Sequence, residues 1–182
     1  MSVALSTDPA IRLRGLRRPE YDRLVLAGAF AGERVELLGG ALIEVSPQGS
    51  RHAWVITELG EILTLALHGR YKVRQEKPLA VDGESEPEPD LAVTDATGPD
   101  EHPSTAALVV EVAQTTQRLD LGEKARRYAA AAVQTYVVLD LPTRRAVVHS
   151  GASPAGYGDV RTLGDADVLT VLGVDIRLAE LF

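Results

Sequence analysis

Apolar residues recur at helical spacing in one long segment, from about residue 50 to residue 68. The apolar positions of this segment are Trp54, Val55, Leu59, Ile62, Leu63, Ala66 and Leu67. Steps of three and four residues place such positions along one stripe of an α-helix. Gly69 follows, at a place where helices commonly end. This is the clearest helix that the sequence predicts, and a shorter one is predicted to open at Pro19.

Runs of aliphatic and β-branched residues between turn residues predict the strands. Residues 34–38 and 41–45 flank Gly39-Gly40, which is typical of a β-hairpin. Further strands are predicted at residues 71–76, 79–81, 90–93, 108–113, 136–140 and 146–149. Loops are predicted at residues 82–89, 95–105 and 151–158.

A third helix is predicted after the strand that ends near residue 113. Thr115-Thr116 offers a helix N-cap, and the helical pattern continues to about residue 132. Helices and strands therefore alternate along the chain, which predicts an α/β or α+β fold with a mixed sheet. We expect one domain over residues 19–182, preceded by a polar N-terminal arm of residues 1–18.

Composition narrows the functional classes. The chain has 182 residues and no cysteine, so disulfides and thiolate metal sites are excluded. No apolar run approaches the roughly 20 residues of a membrane span, and no signal peptide is recognisable, so we expect a cytoplasmic protein without a membrane partner. The formal net charge of −7 argues against tight nucleic-acid binding by charge alone. It leaves room for an acidic pocket that needs a cation before it meets a phosphate.

Glu111 is the strongest anomaly in the hydrophobic pattern. It interrupts the apolar run of residues 107–113, whose composition predicts a strand buried on both faces. A carboxylate in such a strand is costly unless it is paired or coordinates a metal. The alternative is that Glu111 faces outward at a strand end or pairs with an arginine.

Asp90 and Lys124 extend this anomaly into a candidate mechanism. Asp90 opens a predicted strand after an acidic loop, and Lys124 lies on the third predicted helix. Two carboxylates on neighbouring strands can hold a hard cation such as Mg²⁺. A nearby lysine can orient a water molecule or neutralise a phosphate. Taken singly, Asp90 is also typical of a turn cap, and Lys124 of a solvated helix surface.

Several short motifs together resemble the Uma2 family, which belongs to the restriction-endonuclease-like PD-(D/E)xK superfamily. In chain order the motifs are Glu36-Leu37-Leu38-Gly39-Gly40, His52, Pro89-Asp90, Val110-Glu111-Val112-Ala113-Gln114, Asp120, Lys124, Tyr128-Ala129 and Tyr136-Val137-Val138-Leu139-Asp140. The resemblance covers roughly residues 19–182. It implies a mixed sheet flanked by helices, with an N-terminal helix and a β-hairpin. It also implies an endonuclease acting on nucleic acid, with DNA the expected substrate, and a homodimer.

The resemblance also assigns roles to individual residues. It makes Pro89-Asp90 the PD element and Glu111 the (D/E), with Mg²⁺ or Mn²⁺ held by Asp90, Glu111 and the backbone carbonyl of Val112. The superfamily pattern places its lysine two residues after the acidic residue, where this chain has Ala113. Lys124, from the following helix, is the implied replacement.

Four more residues are candidates for the same site. Asp120, Lys124 and Tyr128 are spaced four apart, so an α-helix would put them on one face. Glu36 could be a third acidic ligand or an outward charge of the hairpin. His52 could approach the site or serve a structural role at the start of the long helix.

Basic residues near these segments are candidate phosphate contacts, although each is also typical of a solvated surface. They are Arg51, Arg74, Arg126 and Arg127.

Two other functions remain open from the residues alone. One is a nuclease-fold domain that binds a partner or nucleic acid without turnover. The other is a two-carboxylate glycosidase, although the chain has a single tryptophan and few other aromatic residues for a sugar platform. A nuclease requires Asp90, Glu111 and Lys124 to converge in one concave site.

Overall fold

A mixed β-sheet lies at the centre of the molecule. The computed structural model describes residues 14–114 and 116–182, so residues 1–13 of the expected N-terminal arm and Thr115 of the expected N-cap lie outside the described residues. Within them the strands are β1 (Val35–Leu38), β2 (Ala41–Glu44), β3 (Lys72–Gln75), β4 (Leu91–Thr94), β5 (Leu108–Ala113), β6 (Thr135–Asp140), β7 (Arg145–Ser153), β8 (Gly156–Gly164), β9 (Val168–Val171) and β10 (Val174–Arg177).

Helices cover both faces of this sheet. They are α1 (Arg18–Leu26), α2 (Ser50–Leu67), α3 (Gln117–Leu119), a π-helical segment (Asp120–Lys124), α4 (Ala125–Ala130) and a 3₁₀ turn (Leu178–Glu180). Within the described part of the chain, no helix is long and apolar enough to cross a bilayer.

The central sheet has the strand order β3-β4-β5-β6-β7-β8. Only β5 and β6 pair in parallel; the other neighbours are antiparallel. The parallel pair arises because the chain leaves β5, passes through α3, the π segment and α4, and re-enters the sheet from the same end. All six residues of β5 are buried, as its apolar composition predicts.

Two hydrophobic clusters pack on the two faces of the sheet. On one face α2 contributes Val55, Leu59 and Leu63, which pack with the C-terminal elements. On the other face α4 contributes Tyr128, which packs with Tyr136 of β6. The site described below lies where the crossover from β5 returns over the sheet.

The sequence correctly predicts the mixed fold, the β1–β2 hairpin and α2, which ends next to Gly69 as expected. Two local predictions are wrong. Residues 79–81 form no strand, because the backbone N–H groups of Leu79 and Ala80 donate to the loop carbonyls of Pro87 and Pro103. Residues 151–158 are mostly strand, because β7 and β8 continue to a tight turn at residues 154–155.

Candidate active site

Asp90 comes immediately before β4, and Glu111 lies on the neighbouring strand β5. Strands β4 and β5 pair Leu91 with Val110, and continuing this register by one residue sets Asp90 against Glu111. Directly opposed side chains of an antiparallel pair lie on the same face of the sheet. The backbone N–H of Val112 donates to Asp90 Oδ2 over 2.6 Å, which fixes the Asp90 carboxylate against β5.

Glu111 is buried and accepts two hydrogen bonds on one oxygen. Lys124 Nζ lies 3.1 Å and the Tyr128 hydroxyl 3.0 Å from Glu111 Oε1. Burial raises the pKa of Glu111 well above its ordinary value, and Lys124 opposes that rise. The pairing that the sequence requires of a buried carboxylate is therefore provided by Lys124 and Tyr128.

Lys124 lies among three carboxylates. Besides Glu111, its Nζ is 3.2 Å from Glu36 Oε1 and 3.9 Å from Asp120 Oδ1. Burial lowers the pKa of Lys124, but Glu111, Glu36 and Asp120 raise it more, so the net shift is upward. The upward shift of the Lys124 pKa favours the ammonium form, which can donate hydrogen bonds within the site.

The π-helical segment positions Asp120 and Lys124. Both side chains are buried, and the Tyr136 hydroxyl donates to the Asp120 backbone carbonyl over 3.0 Å. The predicted α-helix is thus interrupted here, yet Asp120, Lys124 and Tyr128 still point inward. Such π-bulges occur frequently at functional sites.

Glu36 enters from the hairpin and is 2% exposed. Its Oε2 accepts the backbone N–H of Glu88 over 3.1 Å, and its Oε1 faces Lys124. Because both oxygens are engaged, Glu36 links the hairpin and the loop before β4 to Lys124.

His52 lies in the first turn of α2. Its Nε2 is 3.3 Å from Asp90 Oδ2. Burial lowers the pKa of His52, but the Asp90 carboxylate and the backbone of Val112 raise it more, so the net shift is upward. His52 could either approach the site or serve only a structural role at the start of α2. The structure places it at the site, next to Asp90.

These side chains line a cavity of about 520 Å³. Of the predicted residues, it is bordered by Glu36, His52, Asp90, Glu111, Val112, Asp120 and Lys124. Tyr128 does not border it, and its hydroxyl supports Glu111 from behind. The structure thus brings together the three residues whose convergence a nuclease requires.

The four predicted phosphate contacts do not border the cavity. Arg51 donates to the Leu181 carbonyl, and Arg74 donates to the Pro78 carbonyl. Arg126 and Arg127 both pair with Glu123.

Arg34 borders the cavity and was not singled out from the sequence. Its guanidinium lies 3.0 Å from Glu76 and is 45% exposed. The sequence does contain a pattern that points to Arg34. It stands two residues before Glu36, and residues two apart along an extended chain share a face.

Negative charge exceeds positive charge in the site. The basic side chains that border the cavity are Arg34, His52 and Lys124, whereas six carboxyl side chains border it: Glu36, Glu44, Glu88, Asp90, Glu111 and Asp120. Among residues 14–114 and 116–182, no three His, Asp or Glu side chains are grouped closely enough to hold a metal ion as they stand. Within the same residues, the second oxygens of Asp90 and Glu111 accept no hydrogen bond, and both residues border the cavity.

Comparison with known proteins identifies relatives by sequence profile and by fold. The profile of the Uma2 family, described as "Putative restriction endonuclease", matches residues 18–179. A crystal structure from Anabaena variabilis, described as "a putative nuclease belonging to DUF820", superposes with a TM-score of 0.74 at 12% identity, over 92% of this chain and 97% of that chain. At that identity the likeness concerns the fold alone. No curated protein matches the sequence.

Proposed function

The chain belongs to the Uma2 family, and from that premise we propose that it is a Mg²⁺- or Mn²⁺-dependent endonuclease. It would hydrolyse phosphodiester bonds of nucleic acid, with DNA the expected substrate. One observation carries the proposal: Asp90, immediately before β4, and Glu111, on the neighbouring strand β5, share a cavity with Lys124.

The donor set fits a hard divalent cation. Mg²⁺ prefers oxygen ligands and keeps several water molecules, so it needs few protein ligands. Asp90 and Glu111 each offer one carboxylate oxygen without a hydrogen-bond donor among the described residues. The Val112 carbonyl is the third proposed ligand. A divalent ion would also balance the excess of carboxylates in the site.

A bound divalent cation supplies positive charge to a phosphate and lowers the pKa of a water molecule. Lys124 is proposed to donate a hydrogen bond to the attacking water or to the phosphate. The upward shift of the Lys124 pKa favours a role as hydrogen-bond donor over a role as general base. Glu36 and Asp120 hold the ammonium in place, and Tyr128 orients Glu111.

Binding of Mn²⁺, followed by calorimetry, tests the site without knowledge of the substrate. The isosteric variants Asp90→Asn and Glu111→Gln should lose saturable binding. Asp140→Asn is a matched control, because Asp140 ends the neighbouring strand β6 and does not border the cavity. Unchanged binding in both site variants would overturn the metal assignment.

Cleavage of labelled single- and double-stranded oligonucleotides tests the chemistry. Lys124→Ala should keep Mn²⁺ binding and lose cleavage. This variant leaves three carboxylates without their counter-charge, so thermal unfolding must confirm that it is folded. Cleavage at the wild-type rate by folded Lys124→Ala would exclude the role proposed for Lys124.

A second candidate is a nuclease-fold domain that binds nucleic acid without turnover. It is favoured by the Lys124 ammonium, which already neutralises part of the charge of Glu36, Glu111 and Asp120. This reading predicts oligonucleotide binding that Asp90→Asn leaves unchanged, with no cleavage in Mg²⁺ or Mn²⁺.

A further inference from the structure

Strand β8 forms one edge of the central sheet. It is nine residues long, and β7 is its strand partner among the described residues. Residues 158–162 are all exposed, and Val160 is 55% exposed. The backbone groups of an edge strand that point away from the sheet are a template for pairing with another chain.

The opposite edge of the sheet is protected from pairing with another chain because its strand is short and positively charged. Strand β3 has four residues and carries Lys72 and Arg74 on either side of Val73. Two copies of β3 paired about Val73 would set positive charges against each other. Strand β8 has neither a lysine nor a proline and is more than twice as long. The two edges therefore differ in the features that natural sheets use to prevent pairing.

The charge order of β8 is self-complementary. Facing residues of an antiparallel pair alternate between hydrogen-bonded and non-bonded types, so a two-fold axis must pass through a residue facing its own copy. Centring on Asp159 or on Arg161 opposes like charges. Centring on Gly158 or Thr162 leaves Arg161 opposite an apolar residue. Centring on Val160 sets Asp159 against Arg161 of the second copy, twice.

We propose that two copies of this chain associate through the outer edge of β8, which pairs antiparallel with β8 of the second copy about a two-fold axis at Val160. The two central sheets then become one continuous sheet of twelve strands. The interface uses the edge of the sheet three strands away from β5, so it leaves the cavity open. It does not depend on the proposed chemistry.

Charge reversal tests the register. In sedimentation equilibrium the wild-type chain should show twice the mass of one chain and dissociate on dilution, because a single strand pair is a small interface. Asp159→Arg and Arg161→Asp should each be monomeric at concentrations where the wild type is dimeric. The double variant that exchanges the two charges should dimerise again. A monomeric wild type, dimeric single variants, or a monomeric double variant would each overturn the proposal.

A disulfide provides an independent readout, since the chain has no cysteine of its own. Facing residues of an antiparallel pair have Cα atoms about 4.5–5.5 Å apart, within disulfide range. Val160→Cys should therefore cross-link to a dimer under mild oxidation. Thr162→Cys is the control, because in this register its copies lie about 14 Å apart along the strand. Equal cross-linking of both variants, or none in either, would contradict the Val160-centred pairing.

Discussion

The proposed role of Arg34 follows from its position in the fold, since no sequence motif assigns it one. Its guanidinium borders the cavity and is held by Glu76. If a phosphate occupies the cavity, Arg34→Gln should weaken oligonucleotide binding about three- to tenfold, as expected for loss of one charge-assisted contact. Mn²⁺ binding should be unchanged. Fluorescence anisotropy measures the affinity.

A matched control for Arg34 lies on β10. Arg177 is also an exposed arginine in an ion pair, with Glu180 at 2.6 Å, and does not border the cavity. Arg177→Gln should leave oligonucleotide binding within twofold. Equal losses in the two variants would mean that general surface charge, and no particular contact in the cavity, determines the affinity.

Glu86 makes folding stability depend on pH. It is buried, and its Oε2 has no hydrogen-bond partner among residues 14–114 and 116–182. Burial raises the pKa of Glu86 to about 7; Asp22 and Glu88 reinforce the rise and Arg18 opposes it, while His102 lies 3.9 Å away. The folded state therefore holds this proton more tightly than the unfolded chain, whose glutamate titrates near its ordinary pKa of about 4.3.

The contribution of Glu86 is fully present below the unfolded pKa and is lost as the pH rises through about 7. Glu86→Gln keeps the shape and removes the titration. The variant should therefore become more stable than the wild type by on the order of 2 kcal/mol above pH 7, and match it near pH 4. Urea unfolding at several pH values measures the difference. A difference that stays constant with pH would contradict the assignment.

At the scale of elements, Arg127 joins three segments that position the site. Its Nη1 donates to Asp82 and Ser85 of the loop before β4, and its Nε donates to Glu123 of the π segment. Its guanidinium also packs against Gly39, where an added Cβ would lie 2.5 Å from Nη2. The hairpin that carries Glu36 is thereby held against the segment that carries Lys124.

Gly39 therefore requires glycine for a reason beyond its backbone conformation. Both Gly39 and Gly28 have a positive φ, but an added Cβ at Gly28 would meet no described residue within 4 Å. Alanine should cost roughly 1 kcal/mol at either position for the left-handed backbone. At Gly39 it should cost about 1 kcal/mol more, because Arg127 must move and lose hydrogen bonds.

Thermal or urea unfolding of Gly39→Ala and Gly28→Ala measures this difference. In an Arg127→Ala background the two alanine variants should cost the same. An excess at Gly39 that survives removal of Arg127 would place the clash elsewhere.

An element could be predicted from the sequence when the residues that determine its conformation lie within the element itself. The hairpin and α2 are specified locally, by Gly39-Gly40 and by an uninterrupted apolar stripe. The π segment at residues 120–124 has no local signature, because it results from burying Asp120 and Lys124 together against Glu111. The segment 79–81 has strand composition, yet its N–H groups find partners in loops.

The residues of the candidate site also fall into two groups: those that the local sequence marks and those that it does not. Glu111 stands out because a carboxylate in an apolar strand contradicts its surroundings. The residues alone join Asp90 and Lys124 to Glu111 only as a candidate mechanism, and the resemblance to a family assigns their roles, since no local rule joins residues 21 and 13 positions from Glu111. Sequence spacing is compatible with a place for Arg34 and Tyr128 at the site, but only tertiary contacts show that Arg34 borders the cavity and that the Tyr128 hydroxyl donates to Glu111.

At the scale of the whole molecule, the net negative charge limits how the chain can bind nucleic acid. The chain carries a net charge of −7, and Arg126 and Arg127 are engaged in ion pairs with Glu123. Six carboxyl side chains border the proposed cavity, against three basic side chains, Arg34, His52 and Lys124. A phosphate brought to this cavity would therefore meet repulsion unless a divalent cation is bound there first.

Oligonucleotide binding should consequently require a divalent cation. The affinity for the oligonucleotide should be at least tenfold weaker in EDTA than in Ca²⁺. Ca²⁺ is used here as a cation that binds the site without supporting turnover. Asp90→Asn should remove this difference, whereas Asp140→Asn should keep it. In Ca²⁺ the plot of log affinity against log salt should have a slope shallower than about −3, since each phosphate neutralised by a lysine or arginine adds about −0.9 for a duplex. A steep slope in EDTA would instead place binding on a basic surface outside the cavity, and would favour a binding domain over the proposed nuclease.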